Sequence, residues 1–244
     1  MNLFQKTSDF FQTKKFRQRA YSSIILVLIS IPAVIFLDAW PFRIILAFAL
    51  CMSSAEVFTA GQWLSWGKHT GLLLSAEQLV LGVSVIYLLF AAPPAYYLIL
   101  LIIAAFAYDI FAYIIGSLIG FRFFHECPIP RISKNKSIEG SIGGLIASFS
   151  LSHIYLVALG IVPSTTELII ATFGGGILAM LGDLLGSVVK RSLQIKDSNE
   201  VAKTLPFLRQ AERLMDGHGG FLDRFDSLAL VMFFSGVLFY FLGP

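Results

Sequence analysis

Seven apolar stretches divide the chain, at 21–37, 42–60, 72–92, 95–120, 141–162, 167–190 and 224–242. Most approach the roughly 20 residues that an α-helix needs to cross a hydrocarbon core about 30 Å thick. Inside lipid every backbone N–H and C=O must be satisfied within the protein, and runs of this length do so as helices. Composition agrees: 14% of the 244 residues are charged and 57% are hydrophobic, whereas soluble domains carry about 25% charged residues. The expected fold is all-α, a polytopic integral membrane protein of about seven (six to nine) transmembrane helices. The first stretch follows Lys14, Lys15, Arg17 and Arg19, as a secretory signal would. No A-x-A-type cleavage site follows and a second run begins at once, so it reads as a retained first helix.

Basic residues set a direction. With the N-terminus on the cytoplasmic side, the inner segments hold Lys6, Lys14, Lys15, Arg17 and Arg19, then Lys68, then Arg122, Arg131, Lys134 and Lys136, then Lys190, Arg191, Lys196, Lys203, Arg209, Arg213 and Arg224. That leaves Arg43 alone of the 18 lysines and arginines outside, the asymmetry expected when basic residues are retained in the cytoplasm. The expected location is the cell inner (plasma) membrane, multi-pass, with the chemistry on the cytoplasmic face. A formal charge of +3 spread this thinly excludes a nucleic-acid surface. Cys51 and Cys127 lack metal-ligand spacing and read as structural thiols. Tyr21, Trp40, Trp63, Trp66, Tyr96 and Tyr97 stand near run ends, as interface anchors do.

The carboxylates Glu56, Glu77, Asp109 and Asp183 fall inside the apolar runs. A charge at the centre of a membrane helix costs about 2.5–3.5 kcal/mol or more, so such residues pair, bind ions or line wet cavities. Glu77 reads as structural and Glu56 is balanced between structure and function, while the depth of Asp109 and Asp183 points to function. Downstream of Asp183, Ser187 and then Lys190 or Arg191 follow at helical spacing, stacking a carboxylate, a hydroxyl and a cation on one face. The stretch MDGHGGFLDRFDSL (215–228) then gathers His218, three glycines, Asp223, Arg224 and Asp226 just before the last apolar run. Glycines let backbone N–H groups approach an anion, carboxylates take a hard cation, and lysines and arginines take phosphates. Phosphoryl or nucleotidyl transfer needs that combination. Neither a Walker A nor a G-x-G-x-x-G motif is present.

Ser187, Lys190, Arg191, Lys196 and Asp197, followed by His218, Gly219, Gly220, Asp223, Arg224, Asp226 and Ser227, resemble the signature of the phosphatidate cytidylyltransferase (CDP-diacylglycerol synthase) family. Tyr108, Asp109, Ala112 and Tyr113 are similar to its intramembrane segment. Arg131, Ser133, Lys136, Ser137, Glu139 and Gly140 are similar to its basic loop. The likeness is close over 100–242 and general before that. It departs from the family in a longer connection between Asp197 and His218, read as an insertion at 198–217 whose 204–217 part patterns as an amphipathic surface helix. Asp216 stands where the family has proline, and Lys134 and Asn135 where it has Pro-Lys.

The resemblance implies that CTP and phosphatidate give CDP-diacylglycerol and pyrophosphate, a step of phospholipid biosynthesis. It divides the chain into N-terminal membrane helices (1–92) and a C-terminal catalytic membrane domain (93–244) with cytoplasmic loops 121–140 and 190–223. Asp183 and Asp223 are expected to hold Mg²⁺, with or without a second cation such as K⁺. Lys136, Lys190, Arg191 and Arg224 are expected on phosphates. Asp109, Ser187, His218 and Asp226 are expected to support them, and Arg131, Ser133, Lys196, Asp197, Gly219 and Gly220 complete the substrate-binding set. The partners are CTP, the phosphatidate lipid and the bilayer, with homodimerisation left open. Two other classes would also use buried acids. One is a membrane transporter, which would more usually show broken helices in matched halves; the other is a CDP-alcohol phosphotransferase, whose D-G-x2-A-R pattern is absent. An inactive homologue is a third reading, resting on the insertion alone. His69, His125 and His153 lack clustered partners and read as solvated or packed.

Overall fold

The computed structural model describes residues 39–63, 68–91, 93, 95–130, 133, 136–161, 174–195 and 222–242. All regular structure among them is helical: α1 (Ala39–Trp63), α2 (Lys68–Ile86) continued by a π-helical turn (Tyr87–Ala91), α3 (Ala95–Ile119), α4 (Ile138–Ala158), α5 (Gly175–Ser192) and α6 (Leu222–Leu242). Four spans, Trp40–Thr59, Thr70–Ala91, Ala95–Ile119 and Ile138–Ala158, are long and apolar enough to cross a membrane. Large apolar side chains such as Leu72 (73% exposed), Phe90 (82%) and Ile146 (62%) stand bare on the outside. Together these features make the protein membrane-embedded. The apolar run at 21–37 and the 204–217 segment lie outside the described residues.

Helix ends follow local chemistry more than hydropathy. Ser137, in extended conformation, accepts from Gly140 N through its hydroxyl at 3.2 Å, so α4 begins three residues before the apolar run at 141. It ends at Ala158, with Leu159 as its cap and Gly160 following at φ +63°, a left-handed conformation that glycine adopts without strain. At α5 the helix runs through Lys190 and Arg191 to Ser192, because two cations in a last turn complement the helix dipole.

Glycine lines two of the closest helix contacts. A Cβ on Gly140 would lie 2.7 Å from Ala112 O, and one on Gly144 would lie 2.8 Å from Tyr108 O, so α3 and α4 touch backbone to backbone. A Cβ on Gly182 would lie 2.6 Å from Asp226 O, and one on Gly186 2.5 Å from Asp226 Oδ2, so α5 and α6 meet the same way. Spacing of small residues by four is how membrane helices approach when lipid supplies no hydrophobic drive between them. Four buried hydroxyls find a partner in their own helix: Ser53, Thr59, Ser84 and Ser235 each donate to the carbonyl four residues back, at 2.7–3.1 Å. Ser84 also reaches Ala229 O (2.8 Å), and Ser148 reaches Ala104 O (2.7 Å), tying α2 to α6 and α4 to α3.

The bundle has two unlike ends. At one, Arg43 Nε donates to Pro93 O and the Tyr155 hydroxyl to Tyr96 O. At the other gather the end of α1 with Glu56, the start of α2 with Glu77, the turn after α3, the starts of α4 and α6 and the end of α5.

Candidate active site

The second end carries nearly all the polar chemistry. Its centre is an ion pair across α4 and α5: Lys136 Nζ lies 2.5 Å from Asp183 Oδ2, with the two side chains 22% and 32% exposed. Lys136 arrives there because the loop before α4 is cross-tied. The Cys127 thiol donates to Ser133 O (3.0 Å) and to Lys136 O (3.2 Å), and Ser133 N donates to Ile129 O (3.0 Å). The turn after α3 is fixed from below, since the Glu139 carboxylate accepts from Phe121 N, Phe123 N and Phe124 N at 2.8–3.2 Å. Phe121 holds φ +61°, a left-handed residue of the kind such a net of hydrogen bonds keeps in place.

Beside this pair lies a second polar group. The Ser227 hydroxyl donates to Asp109 Oδ1 at 2.9 Å, and Ser227 N donates to Asp226 Oδ1 at 2.7 Å. Ser227 is fully buried and Asp226 is 5% exposed, packed on Gly186 of α5. Asp183, Asp226 and Lys136 all stand within electrostatic reach of Asp109, so α3, α4, α5 and α6 each contribute to one charged cluster. Like charges crowded in a low-dielectric setting repel strongly, and Lys136 with the Ser227 hydroxyl offsets part of that.

Of the residues singled out in the sequence, Asp109, Lys136, Asp183, Ser187 and Asp226 are thus placed on neighbouring elements, with Ser187 half-buried one turn after Asp183. Lys190 stands within reach of buried Glu77 on α2, and Arg191 is exposed and donates to Ile195 O at 3.2 Å. Ser133 belongs to the loop cross-tied by Cys127. Asp223 and Arg224 occupy the first turn of α6, their side chains lying outside the described set. Arg131, Lys196, Asp197, His218, Gly219 and Gly220 also lie outside the described residues. His153 is exposed and stacks on Phe149, ring centroids 6.3 Å apart, a packed histidine. Among the described residues no three acidic, imidazole or thiolate groups converge as a metal cage. The donor type still fits a hard cation: the Asp183 oxygen already holds one positive charge, the Lys136 ammonium, and carboxylate oxygen is what Mg²⁺ takes.

Two contributors were noted in the sequence but not placed among the expected site residues. Glu56 of α1, 1% exposed, accepts from Leu222 N at 3.0 Å, and Glu139 pins the turn as described. An acidic residue within an apolar run was the only signal for the first, and the i+3 spacing from Lys136 for the second.

The structure is thus a helical membrane protein whose facing elements gather a lysine and aspartates at one end. The chain belongs to the Cytidylyltransferase family, whose pattern matches residues 4–242. Among curated relatives, the phosphatidate cytidylyltransferase of Staphylococcus haemolyticus (strain JCSC1435) is 39% identical over 124 residues, 51% of this chain and 41% of the relative. That of Bacillus subtilis (strain 168) is 37% identical over 122 residues, 50% and 39% of the two chains. That of Staphylococcus aureus (strain COL) is 37% identical over 129 residues, 51% and 41%. The match thus spans less than half the length of these relatives.

Proposed function

We propose that the protein transfers a cytidylyl group from CTP to phosphatidate, giving CDP-diacylglycerol and pyrophosphate. The observation that carries this reading is the Lys136–Asp183 contact, which joins the basic loop to the signature helix in a family of cytidylyltransferases. A phosphatidate oxygen attacks the α-phosphorus of CTP as the bond from that phosphorus to the bridging oxygen breaks and pyrophosphate leaves. Both reactants are anionic, so the barrier is largely charge repulsion, and an ionised phosphate needs no strong general base. Mg²⁺ held by Asp183 and Asp223, with or without a second cation, supplies neutralising charge at the phosphates when bound.

The chain's own residues do the rest. Lys136, poised at Asp183, turns its ammonium to phosphate, and Lys190, Arg191 and Arg224 add charge near the membrane surface. The Ser227 hydroxyl donates to Asp109 and Ser227 N to Asp226, so that each acid has a donor when the anionic substrates arrive. The Lys- and Arg-rich end faces the cytoplasm of an inner membrane, where CTP is at hand. The test is Mg²⁺-dependent formation of CDP-diacylglycerol from CTP and phosphatidate by purified protein in detergent, with Asp183→Asn and Asp223→Asn alongside. Turnover in the parent that is lost in both variants supports the reading. A well-folded parent inert with CTP and phosphatidate overturns it.

A further inference from the structure

We infer that Glu56 is a positioning residue for the start of α6, and through it for Asp223. A helix leaves its first N–H groups without intrahelical partners, and these are usually met by a Ser, Thr, Asp or Asn just before it. Here the preceding residues are Gly219, Gly220 and Phe221, none with a side-chain acceptor. The acceptor comes instead from 166 positions away: Glu56 Oε2 takes Leu222 N at 3.0 Å, in a side chain 1% exposed. A carboxylate there also complements the positive end of the helix dipole.

Glu56 is itself held. Two residues before it, Ser54 donates from its hydroxyl to Gln78 Oε1 at 2.5 Å, and Gln78 Nε2 donates back to Ser54 O at 2.8 Å, locking α1 to α2. The first turns of α6 are therefore fixed at two points, Leu222 N by Glu56 and the Ser227 hydroxyl by Asp109. Asp223 lies between them. The N-terminal helices thus take part in the geometry of the site even though the sequence signature lies wholly in the second half of the chain. The assignment of a metal role to Asp223 rests on the function proposed above; the capping role of Glu56 does not.

The experiment is amide hydrogen exchange on purified protein in detergent, parent against Glu56→Ala and Glu56→Gln, together with the Mg²⁺ dependence of CDP-diacylglycerol formation. Loss of a hydrogen bond to a charged group corresponds to about tenfold or more in local opening. In Glu56→Ala the peptide covering 222–228 should exchange about tenfold faster while peptides from Ile138–Ala158 stay as in the parent, and half-saturating Mg²⁺ should rise several-fold. Glu56→Gln keeps an acceptor oxygen and should restore most of the protection. Unchanged exchange at 222–228 in Glu56→Ala overturns the inference. Should Glu56→Ala unfold throughout, Glu56→Gln decides: parent-like exchange supports the cap, and damage equal to that of alanine overturns it. Faster exchange at 222–228 in a protein with no cytidylyltransferase activity would leave the cap standing and sink the proposed function.

Discussion

The α3–α4 and α5–α6 contacts use the same device for different ends. In both, glycines four apart let two helices touch, but what fills the space differs. Opposite Gly144 stand Tyr108 O and the Tyr108 ring edge, each 2.8 Å from a would-be Cβ. These are rigid, and they hold two helices together. Opposite Gly186 stands the end of an acidic side chain, Asp226 Oδ2, at 2.5 Å. That neighbour can move, so the glycine there fixes where a carboxylate lies. One contact is a joint, and the other sets the site.

The largest expected effect falls on Asp183, the acid of α5 that pairs with Lys136. Asp183→Asn should lower CDP-diacylglycerol formation by about 10²–10³-fold, the scale of losing a principal electrostatic group, with little change in thermal unfolding. Lys136→Met removes the opposite charge and should cost about 10–100-fold, read as a rise in KM for CTP or phosphatidate together with a fall in kcat. The glycines test the comparison itself. Gly186→Ala should cut activity about tenfold with a small loss of stability, since Asp226 swings aside. Gly144→Ala should cost about 1–3 kcal/mol of stability by overpacking while the surviving folded protein keeps its activity. If both glycine variants lose stability and activity alike, the distinction drawn here fails. Ser227→Ala, which strips the hydroxyl from Asp109, should lower activity only a few-fold, the least of the site variants, at about 1–3 kcal/mol in stability, measured by thermal unfolding beside turnover.

Much of this was readable in the sequence wherever the signal was local. The run at 95–120 became Ala95–Ile119 almost residue for residue, since length and hydropathy suffice inside lipid. The run at 141–162 shifted to Ile138–Ala158 because a serine hydroxyl and a glycine set its ends. The run at 167–190 is described only from Gly175 and continues to Ser192, hydropathy stopping short of a helix that closes on charged residues. In the site, burial depth brought Asp109 and Asp183 forward, the polar stretch at 215–228 brought Asp226 and motif resemblance brought Lys136, and all four lie within one cluster. Which atoms meet was not legible. Ser227 to Asp109, Glu56 to Leu222 N and Cys127 to the Ser133 and Lys136 carbonyls are tertiary pairings, fixed by how helices dock and by no periodicity in the chain.

The self-satisfied hydroxyls bear on how such a chain comes to be built. Ser53, Thr59 and Ser235 each spend their proton on their own helix, so those groups cross the translocation machinery into lipid without waiting for a neighbour. The start of α6 is the reverse case: the Ser227 hydroxyl and the amide of Leu222 find partners on other helices. Insertion of α6 is consequently easiest once α1 and α3 are already in the bilayer, which the order of synthesis provides. The acids of α6 are thereby left for last, entering a membrane that already holds Glu56 and Asp109.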